Sequence, residues 1–194
     1  MHTRTFIPTN TKPLHQSLDD CVVLFLDMAN FVELTRDFPD KDVVFAMHYC
    51  FSAFEPVIES AMGKIIKTNA DQCLVLFIQP DKDDIWPCII ELFRQFYSIC
   101  HYYGVEGQLR CGAHRGSLVA GYIGSNRRYF DIWGKTVNMA SRLERHAKRD
   151  SISMSETFFS EFCPHQSLIL SAQHLKSYGQ LRTAQYDFAH LRYH

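Results

Sequence analysis

The segment CVVLFLDMANF, residues 21–31, places an acidic side chain directly after six apolar residues. The apolar run, residues 21–26, is short, continuous and rich in β-branched and aromatic residues, which predicts a central strand buried on both faces. Asp27 then follows in surroundings too apolar to keep a carboxylate ionised unless a cation neutralises it. The segment therefore predicts the core strand of the fold and a charged site at the end of that strand.

Length and composition indicate one ordinary globular domain. The chain has 194 residues, of which 46% are hydrophobic and 21% are charged, so disorder and fibrous repeats are excluded. We expect a loosely ordered arm over residues 1–20 and a folded domain over residues 21–194. The net charge of -1 and the scattered basic residues argue against a nucleic-acid partner.

The seven cysteines fall singly on mostly apolar runs, without a CxxC pair or the Cys/His spacing of a zinc site. This usage predicts reduced, buried thiols. Together with the lack of an apolar N-terminal leader, it favours a cytoplasmic location. No apolar run approaches the ~18 residues of a membrane-spanning helix, so membrane insertion is not expected.

Helical and strand patterns alternate downstream of the core strand. We expect Asp40 or Asp42 to cap the first helix. Asp71 should lie at the tip of a hairpin, and two strands should join near Gly116. The helices are predicted over residues 42–62, 85–103 and 136–146, and the strands over residues 63–68, 72–77, 107–123, 166–175 and 183–188. This order predicts an α+β fold in which helices cover a mainly antiparallel sheet.

Asp27 and Asp71 are candidates for a metal site. Two aspartates at the ends of adjacent core strands form a natural pair of ligands for Mg²⁺ or Mn²⁺, hard ions that take carboxylate oxygen and share it with substrate phosphates. The alternative is that Asp27 caps a turn and that Asp71 is an ordinary turn residue. Spacing alone does not decide between these two interpretations.

Asn138 and Arg142 project from one face of a predicted helix, because they are four residues apart. The apolar residues around them supply the buried side of that helix. The two side chains can therefore reach one ligand, although a solvated helix face would show the same spacing.

Four separated motifs of the chain occur in a recognisable order. They are VLFLDMANF (residues 23–31), GKIIKTNADQCLVLF (63–77), GAHRGSLVAGYIGSNRRYFDIWGKTVNMASRLE (112–144) and SISMSETFF (151–159). Together they resemble the catalytic domain of class III nucleotide cyclases, the adenylyl and guanylyl cyclase homology domain. The resemblance covers about residues 20–190 and implies the ferredoxin-like, palm-like fold of that family.

The resemblance implies a role for each candidate polar residue. Two Mg²⁺ or Mn²⁺ ions per site would be held by Asp27, Asp71 and the backbone carbonyl of Met28. One of these ions would lower the pKa of the ribose 3′-hydroxyl, and both would stabilise charge on the phosphates during in-line attack. Asn138 matches the residue that orients the ribose, and Arg142 matches the one that stabilises the pentacovalent α-phosphate.

Further positions are expected to bind the substrate. The turn after Asp27 resembles the one that cradles the triphosphate, and we expect Phe25, Asn30 and Phe31 to contact substrate there. Lys67 and Asp131 match the pair that reads adenine, in which Lys donates to a ring nitrogen and Asp accepts from the exocyclic amine. On this basis ATP is the favoured substrate.

The family's sites lie between two catalytic domains. Because this chain carries both sets of residues, the resemblance implies a homodimer with two equivalent sites, with residues 124–131 as the arm across the interface. The cyclic product would act on a downstream effector protein. Near the C-terminus, Tyr178 stands where the family has a lysine that contacts the triphosphate, and Lys176 or Arg182 is a candidate substitute. Ala70 replaces a usual glycine before the second aspartate.

Two alternatives to an ATP cyclase remain open from the sequence. The chain resembles in organisation the pyrimidine cyclases of bacterial anti-phage systems, which make cyclic CMP or cyclic UMP, although Lys67 and Asp131 argue against this reading. The other alternative is a catalytically silent cyclase-like binding domain. Such proteins usually lose a metal-binding Asp or the Asn/Arg pair, and this chain retains all four residues.

Overall fold

The computed structural model describes residues 15–124, 127–164, 171–175 and 179–193. One mixed sheet of eight strands forms the centre of the domain, with helices on both faces. The strands are β1 (His15–Met28), β2 (Gly63–Asn69), β3 (Gln72–Ile78), β4 (Leu109–Ile123), β5 (Tyr129–Trp133), β6 (Ser151–Ser155), β7 (Ser171–Leu175) and β8 (Gly179–Asp187). The helices are α1 (Phe31–Asp37), α2 (Asp40–Ser60), α3 (Lys82–Tyr102), α4 (Lys135–His146) and α5 (Glu156–Phe162), followed by a 3₁₀ helix at Ala189–Tyr193.

The sheet confirms the predicted α+β class. Its strand order is β2-β3-β1-β4-β6-β8-β7, and β5 pairs with β4 off this path. The pairs are antiparallel except for β4 and β6, which run parallel. A parallel pair requires a crossover connection, and β5 and α4 lie within this one.

β1 is buried on both faces at the centre of the sheet, as predicted. Its even-numbered residues from Val22 pack in one cluster with α2 and α3, and its odd-numbered residues from Cys21 pack in a second cluster with α4. Successive side chains of a strand point to opposite faces, so Asp27 lies on the α4 face. The acidic residue therefore starts from the same side of the sheet as α4.

β1 is longer than predicted at both ends. It begins at His15, inside the predicted arm of residues 1–20, and residues 15–18 pair with β4 alone. This part of the strand is mostly exposed, so it lacks the apolar run that marks the buried part. At the other end the strand reaches Met28, which makes Asp27 a residue of the strand. The rest of the predicted arm lies outside the described residues.

The segment between β1 and β2 contains two helices where the sequence predicted one. The short helix α1 precedes α2, and Phe38 and Pro39 separate them. The expected capping by Asp40 or Asp42 was wrong, because Pro39 is the N-cap of α2 and no side chain accepts a cap hydrogen bond there. Both aspartates lie in the first turn of α2, where negative charge favours the helix dipole.

β4 is one continuous strand, so the prediction of two strands joined near Gly116 was wrong. Gly112 and Gly116 lie within β4, beneath α4. A Cβ on Gly112 would lie 2.1 Å from the backbone N of Glu144, and one on Gly116 would lie 2.6 Å from Oγ1 of Thr136. These glycines therefore mark a close approach of helix and strand instead of a turn.

The remaining predicted elements are confirmed. β2 and β3 form a hairpin with Asp71 in its turn, and α3 and α4 lie where the helical patterns placed them. At the C-terminus, β7 occupies residues 171–175 of the predicted strand 166–175, whose first five residues lie outside the described part of the chain, and β8 includes most of the predicted strand 183–188. Among the residues that the structure describes, no helix is long and apolar enough to cross a membrane.

Gly112→Ala should destabilise the domain by about 3 kcal/mol, because the added methyl group would overlap the backbone of α4. Urea unfolding followed by circular dichroism measures this loss. Gly104→Ala is the control, since Gly104 has a φ of 65° but no atom within 4 Å of an added Cβ. Backbone strain alone should cost this control about 1 kcal/mol. Equal losses in the two variants would contradict the close approach at Gly112.

Candidate active site

Asp27, near the end of β1, lies next to Asp71, in the turn between β2 and β3. Asp27 pairs with Gln72 in the antiparallel register, and the backbone N–H of Met28 donates to the carbonyl oxygen of Asp71 at 3.2 Å. Asp27 is buried and Asp71 is half-buried. Ala70 has a φ of 50°, so the turn before Asp71 keeps the left-handed backbone that favours glycine. The structure therefore brings together the two aspartates that the sequence singled out.

Arg110 and Glu144, which the sequence analysis did not single out, complete this cluster. Arg110 lies opposite Asp27 on β4, and its Nη2 donates to Oδ2 of Asp27. The same nitrogen lies 3.1 Å from Oε1 of Glu144, a residue of α4 that is 1% exposed. The contact with Glu144 is an ion pair without hydrogen-bond geometry. Glu144 Oε1 and Arg110 Nε are both buried and have no hydrogen-bond partner within the described part of the chain.

The crowded acidic groups raise the pKa values of two carboxyls. Burial raises the pKa of Asp71, and the nearby charge of Asp27 raises it further. Burial, followed by the charge of Asp27, raises the pKa of Glu144 to about 7, although Arg110 opposes this effect. A single guanidinium does not compensate for three carboxylates, so the cluster has excess negative charge when all of them are ionised.

The donor chemistry of this cluster suits a hard divalent cation. Asp27 and Asp71 offer carboxylate oxygens, which Mg²⁺ and Mn²⁺ prefer, and a dication would offset the excess negative charge. The described residues contain no group of three or more His, Cys, Asp or Glu side chains arranged to hold a metal ion. A cation bound by the two aspartates would take its other ligands from backbone carbonyls such as that of Met28, from water or from a substrate phosphate.

The turn after β1 is held by the loop that precedes β4. The backbone N–H of Ala29 donates to the carbonyl oxygen of Gln108 at 2.7 Å. Asn30 uses both ends of its side-chain amide: Nδ2 donates to the carbonyl of Glu106 at 2.8 Å, and Oδ1 accepts from the N–H of Gln108 at 2.9 Å. The Asn30 amide, expected to contact substrate, thus holds the turn to the loop.

The two phenylalanines expected to contact substrate pack into different clusters. Phe25 is 8% exposed and belongs to the cluster between β1 and α4. Phe31 begins α1 and packs, half-buried, against the cluster on the opposite face of the sheet. The structure does not bring these two rings together.

Lys67 and Asp131 form an ion pair between β2 and β5. Nζ of Lys67 donates to Oδ2 of Asp131 at 2.6 Å, and Oδ1 of Asp131 accepts from the backbone N–H of Ile132 at 2.9 Å. The Lys67 side chain is 52% exposed and that of Asp131 is 20% exposed. A hydrogen-bond donor and an acceptor therefore lie side by side, within reach of one ligand.

Asn138 and Arg142 lie on α4, on the helix where the sequence placed them. Asn138 is exposed and Arg142 is half-buried, whereas Val137, Ala140 and Leu143 form the buried side of the helix. Because the buried side of α4 faces the sheet, the exposed Asn138 is turned away from the acidic cluster of the same chain.

The C-terminal candidates for a phosphate contact are only partly described. Lys176 and Tyr178 lie outside the described residues. Arg182 pairs through Nη1 with Oε1 of Glu156 at 2.8 Å, and its side chain is 62% exposed. In this arrangement Arg182 contacts α5 and not the acidic cluster.

The chain matches one protein family over most of its length. A sequence model of the adenylate and guanylate cyclase catalytic domain matches residues 14–179. The receptor-type guanylate cyclase gcy-4 of Caenorhabditis briggsae is 29% identical over 162 residues, which are 78% of this chain and 14% of that protein. An adenylate cyclase of Mycobacterium tuberculosis is 29% identical over 131 residues, which are 65% of this chain and 30% of that protein. The chain thus spans 14% to 30% of the length of these relatives.

Solved structures share this fold at low sequence identity. The adenylyl cyclase CyaB from P. aeruginosa has a TM-score of 0.77 at 19% identity, covering 88% of this chain and 94% of that chain. The catalytic core of a rhodopsin-guanylyl cyclase with converted specificity, solved in complex with ATPαS, has a TM-score of 0.76 at 19% identity. That match covers 90% of this chain and 98% of the other. At such identities the likeness establishes the fold alone.

Glu144→Gln should stabilise the metal-free protein more at pH 8 than at pH 5. The pKa of Glu144 is raised from 4.5 to about 7 on folding, so the wild type loses stability as the pH rises through this range. The substitution removes this loss, so at pH 8 the free energy of unfolding of the variant should exceed that of the wild type by about 3 kcal/mol. Urea unfolding in the presence of a chelator, repeated across this pH range, measures the effect.

The control for this experiment is Glu59→Gln. Glu59 is exposed on α2, far in sequence from the acidic cluster, and its replacement should leave the pH dependence unchanged. Identical pH profiles for Glu144→Gln and the wild type would contradict the buried acidic cluster.

Proposed function

Because the chain belongs to the adenylate and guanylate cyclase catalytic domain family, we propose that it converts a nucleoside triphosphate, preferably ATP, to a 3′,5′-cyclic nucleotide and pyrophosphate. The observation that carries this proposal is the placement of Asp27, near the end of β1, beside Asp71, in the β2–β3 turn, with Arg110 against Asp27. Buried carboxylates in excess over their cation are costly for a fold. Metal ions bound together with a triphosphate would neutralise this excess negative charge.

Each candidate residue has a defined task in this reaction. Asp27 and Asp71 would hold Mg²⁺ or Mn²⁺, two ions per site, and the bound ions would supply activation of the ribose 3′-hydroxyl and neutralisation of phosphate charge. Asn138 orients the ribose, so that its 3′ oxygen lies in line with the α-phosphorus. Arg142 stabilises the charge that develops on the α-phosphate as the bond to pyrophosphate breaks.

Lys67 and Asp131 support ATP as the substrate. Adenine offers an acceptor at a ring nitrogen beside a donor at its exocyclic amine, and the ion pair of 2.6 Å presents the complementary donor and acceptor. Relatives of both kinds, guanylate and adenylate cyclases, match this chain, so family membership does not select the base. The choice of ATP therefore rests on these two side chains.

We propose that the active form is a homodimer with composite sites. The Asn138 side of α4 faces away from the sheet, so a second copy is needed to bring it to the acidic cluster. Ile123 and Tyr129, the last residue pair between β4 and β5, are 58% and 61% exposed, which supports contact with another chain near the predicted arm of residues 124–131, of which residues 125 and 126 lie outside the described part of the chain. The guanylyl cyclase domain of the RhoGC fusion protein of Blastocladiella emersonii, which shares the fold, has been solved as a non-canonical dimer and as a monomer.

A cytoplasmic signalling role follows from this proposal. All seven cysteines are free and buried, which supports a reducing compartment. The cyclic nucleotide would be received there by an effector protein that binds it.

The proposal is tested by incubating the purified protein with Mn²⁺ and each of the four nucleoside triphosphates separately. We expect cyclic AMP as the main product, and Asp71→Asn should lower its formation at least about 100-fold without unfolding the protein. Cyclic GMP, CMP or UMP as the main product would overturn the assignment of the base. No cyclic product from a folded dimer would overturn the proposed activity in favour of a binding domain.

Composite sites are tested with a heterodimer of two inactive variants. Asp71→Asn and Arg142→Ala protomers, co-expressed with different affinity tags, should each be inactive as homodimers. The purified heterodimer should recover about half of the wild-type activity, because one of its two sites then has no substitution. A heterodimer as inactive as both homodimers would contradict sharing of the site between protomers.

A further inference from the structure

The loop of residues 103–108, between α3 and β4, touches the candidate active site on one side. As described above, it receives hydrogen bonds from Ala29 and from the amide of Asn30, and it donates one to that amide. These contacts hold the backbone directly after Asp27 and Met28. The position of the turn next to the metal-binding residues therefore depends on the position of the 103–108 loop.

The opposite side of the 103–108 loop is held by a residue near the C-terminus, Arg192. Its Nη2 donates to the carbonyl oxygen of Gly107 at 2.8 Å and to both carboxylate oxygens of Asp150 at 2.8 Å. Its Nε also donates to Oδ2 of Asp150 at 3.2 Å. The guanidinium carbon lies 4.8 Å from the centre of the Tyr97 ring. Arg192 thus connects the loop to a buried acidic residue and an aromatic ring.

Asp150 also holds the first residue of β4. Its Oδ1 accepts from the backbone N–H of Leu109 at 3.2 Å and from the hydroxyl of Tyr97 at 3.0 Å. Asp150 is 6% exposed and has a φ of 59°. Residues other than glycine rarely adopt this backbone conformation, because it is energetically unfavourable for them. The buried carboxylate of Asp150 forms an ion pair with Arg192. Removing one partner of such a pair leaves the other charge buried and uncompensated, which strongly destabilises the structure around it.

The 103–108 loop has little freedom to adjust if one side moves. An added Cβ on Gly107 would lie 2.5 Å from Sγ of Cys100 and 2.8 Å from the ring of Phe96. The N–H of Val105 donates to the carbonyl oxygen of Cys100 at 2.8 Å. Because the loop is packed against α3, a displacement at Gly107 is passed along the backbone to Glu106 and Gln108.

We propose that Arg192 is a positioning residue for the active site. Through its hydrogen bonds to Asp150 and Gly107, Arg192 fixes the position of the 103–108 loop. The loop in turn fixes the position of the turn at Ala29 and Asn30. Arg192 acts through these groups and does not touch the substrate. The catalytic consequence of this inference rests on the proposed function, whereas the coupling from Arg192 to the turn is a property of the fold. An arginine is required because its planar fork donates to Asp150 and to Gly107 at once.

Arg192→Lys tests the inference, since lysine keeps the positive charge and loses the fork. Hydrogen exchange of the purified protein should become at least about tenfold faster at the amides of Ala29 and Gln108, because the hydrogen bonds that these amides donate are weakened. The amides of residues 22–26 should exchange at the wild-type rate. The KM for the Mn²⁺–triphosphate complex should rise about tenfold, with a smaller change in kcat, because Asn138 and Arg142 are not moved.

Arg149→Lys is the matched control. Arg149 forms an exposed ion pair of 2.9 Å with Glu33, and its replacement should leave both hydrogen exchange and KM unchanged. Asp150→Asn provides a second variant that weakens the hold on Arg192 without removing a side chain, and it should show the pattern of Arg192→Lys. If both variants exchange faster only in the C-terminal 3₁₀ helix, with unchanged Ala29, Gln108 and KM, the role of Arg192 is merely structural and the inference fails.

Hydrogen exchange separates this inference from the proposed function. If the wild type makes no cyclic nucleotide, the proposed function fails, and the exchange rates at Ala29 and Gln108 still decide the coupling. If the wild type is active and these rates do not respond to Arg192→Lys, the positioning role fails while the cyclase assignment stands.

Discussion

The arrangement of the site depends on one electrostatic constraint, the shared guanidinium of Arg110. Asp27 and Glu144 approach it from different elements of the fold, and Asp71 adds negative charge from the adjacent hairpin. Such a cluster is tolerable in an interior only if each group is held in place, because a displaced charge would be buried without its partner. The register of β1 against β3 and β4 provides this placement. The central strand β1 therefore has two roles: it forms part of the apolar core, and it holds the charged groups of the cluster beside one another.

α4 serves the site with two of its faces. Its buried side carries Glu144 to the acidic cluster, and its exposed side carries Asn138 outward. Glycine at positions 112 and 116 lets the helix lie directly on β4. This close contact fixes the position of α4 and therefore the positions of the side chains on both of its faces. In the proposed homodimer, a helix that contributes to the acidic cluster of one chain would also present Asn138 to the other chain, and this would link the folding of one protomer to the assembly of two.

Sequence reasoning succeeded where the signal was local and failed where it depended on pairing. The buried run before Asp27 and the stripe of α4 contain their own periodicity, so strand and helix could be predicted. Gly116 was misread as a turn, because glycine signals both chain reversal and close packing. Arg110 was missed because its contact depends on strand register, which the local pattern does not reveal. Glu144 did offer a signal, since it follows Val137 and Ala140 at helical spacing on the buried side.

The contact of α4 with the backbone of β4 limits how such a pocket diversifies. Substitutions that change the size of a side chain between a helix and a sheet usually let the helix shift. At Gly112 no side chain separates the backbones of α4 and β4. If Lys67 and Asp131 read the base as proposed, a new base preference would be obtained by substitutions on β2 and β5, the strands that carry them, and not on α4. Under the proposed function, the helix that carries Asn138 and Arg142 would keep its position while the strands that carry Lys67 and Asp131 change, so chemistry and selectivity would reside in different elements of one small domain.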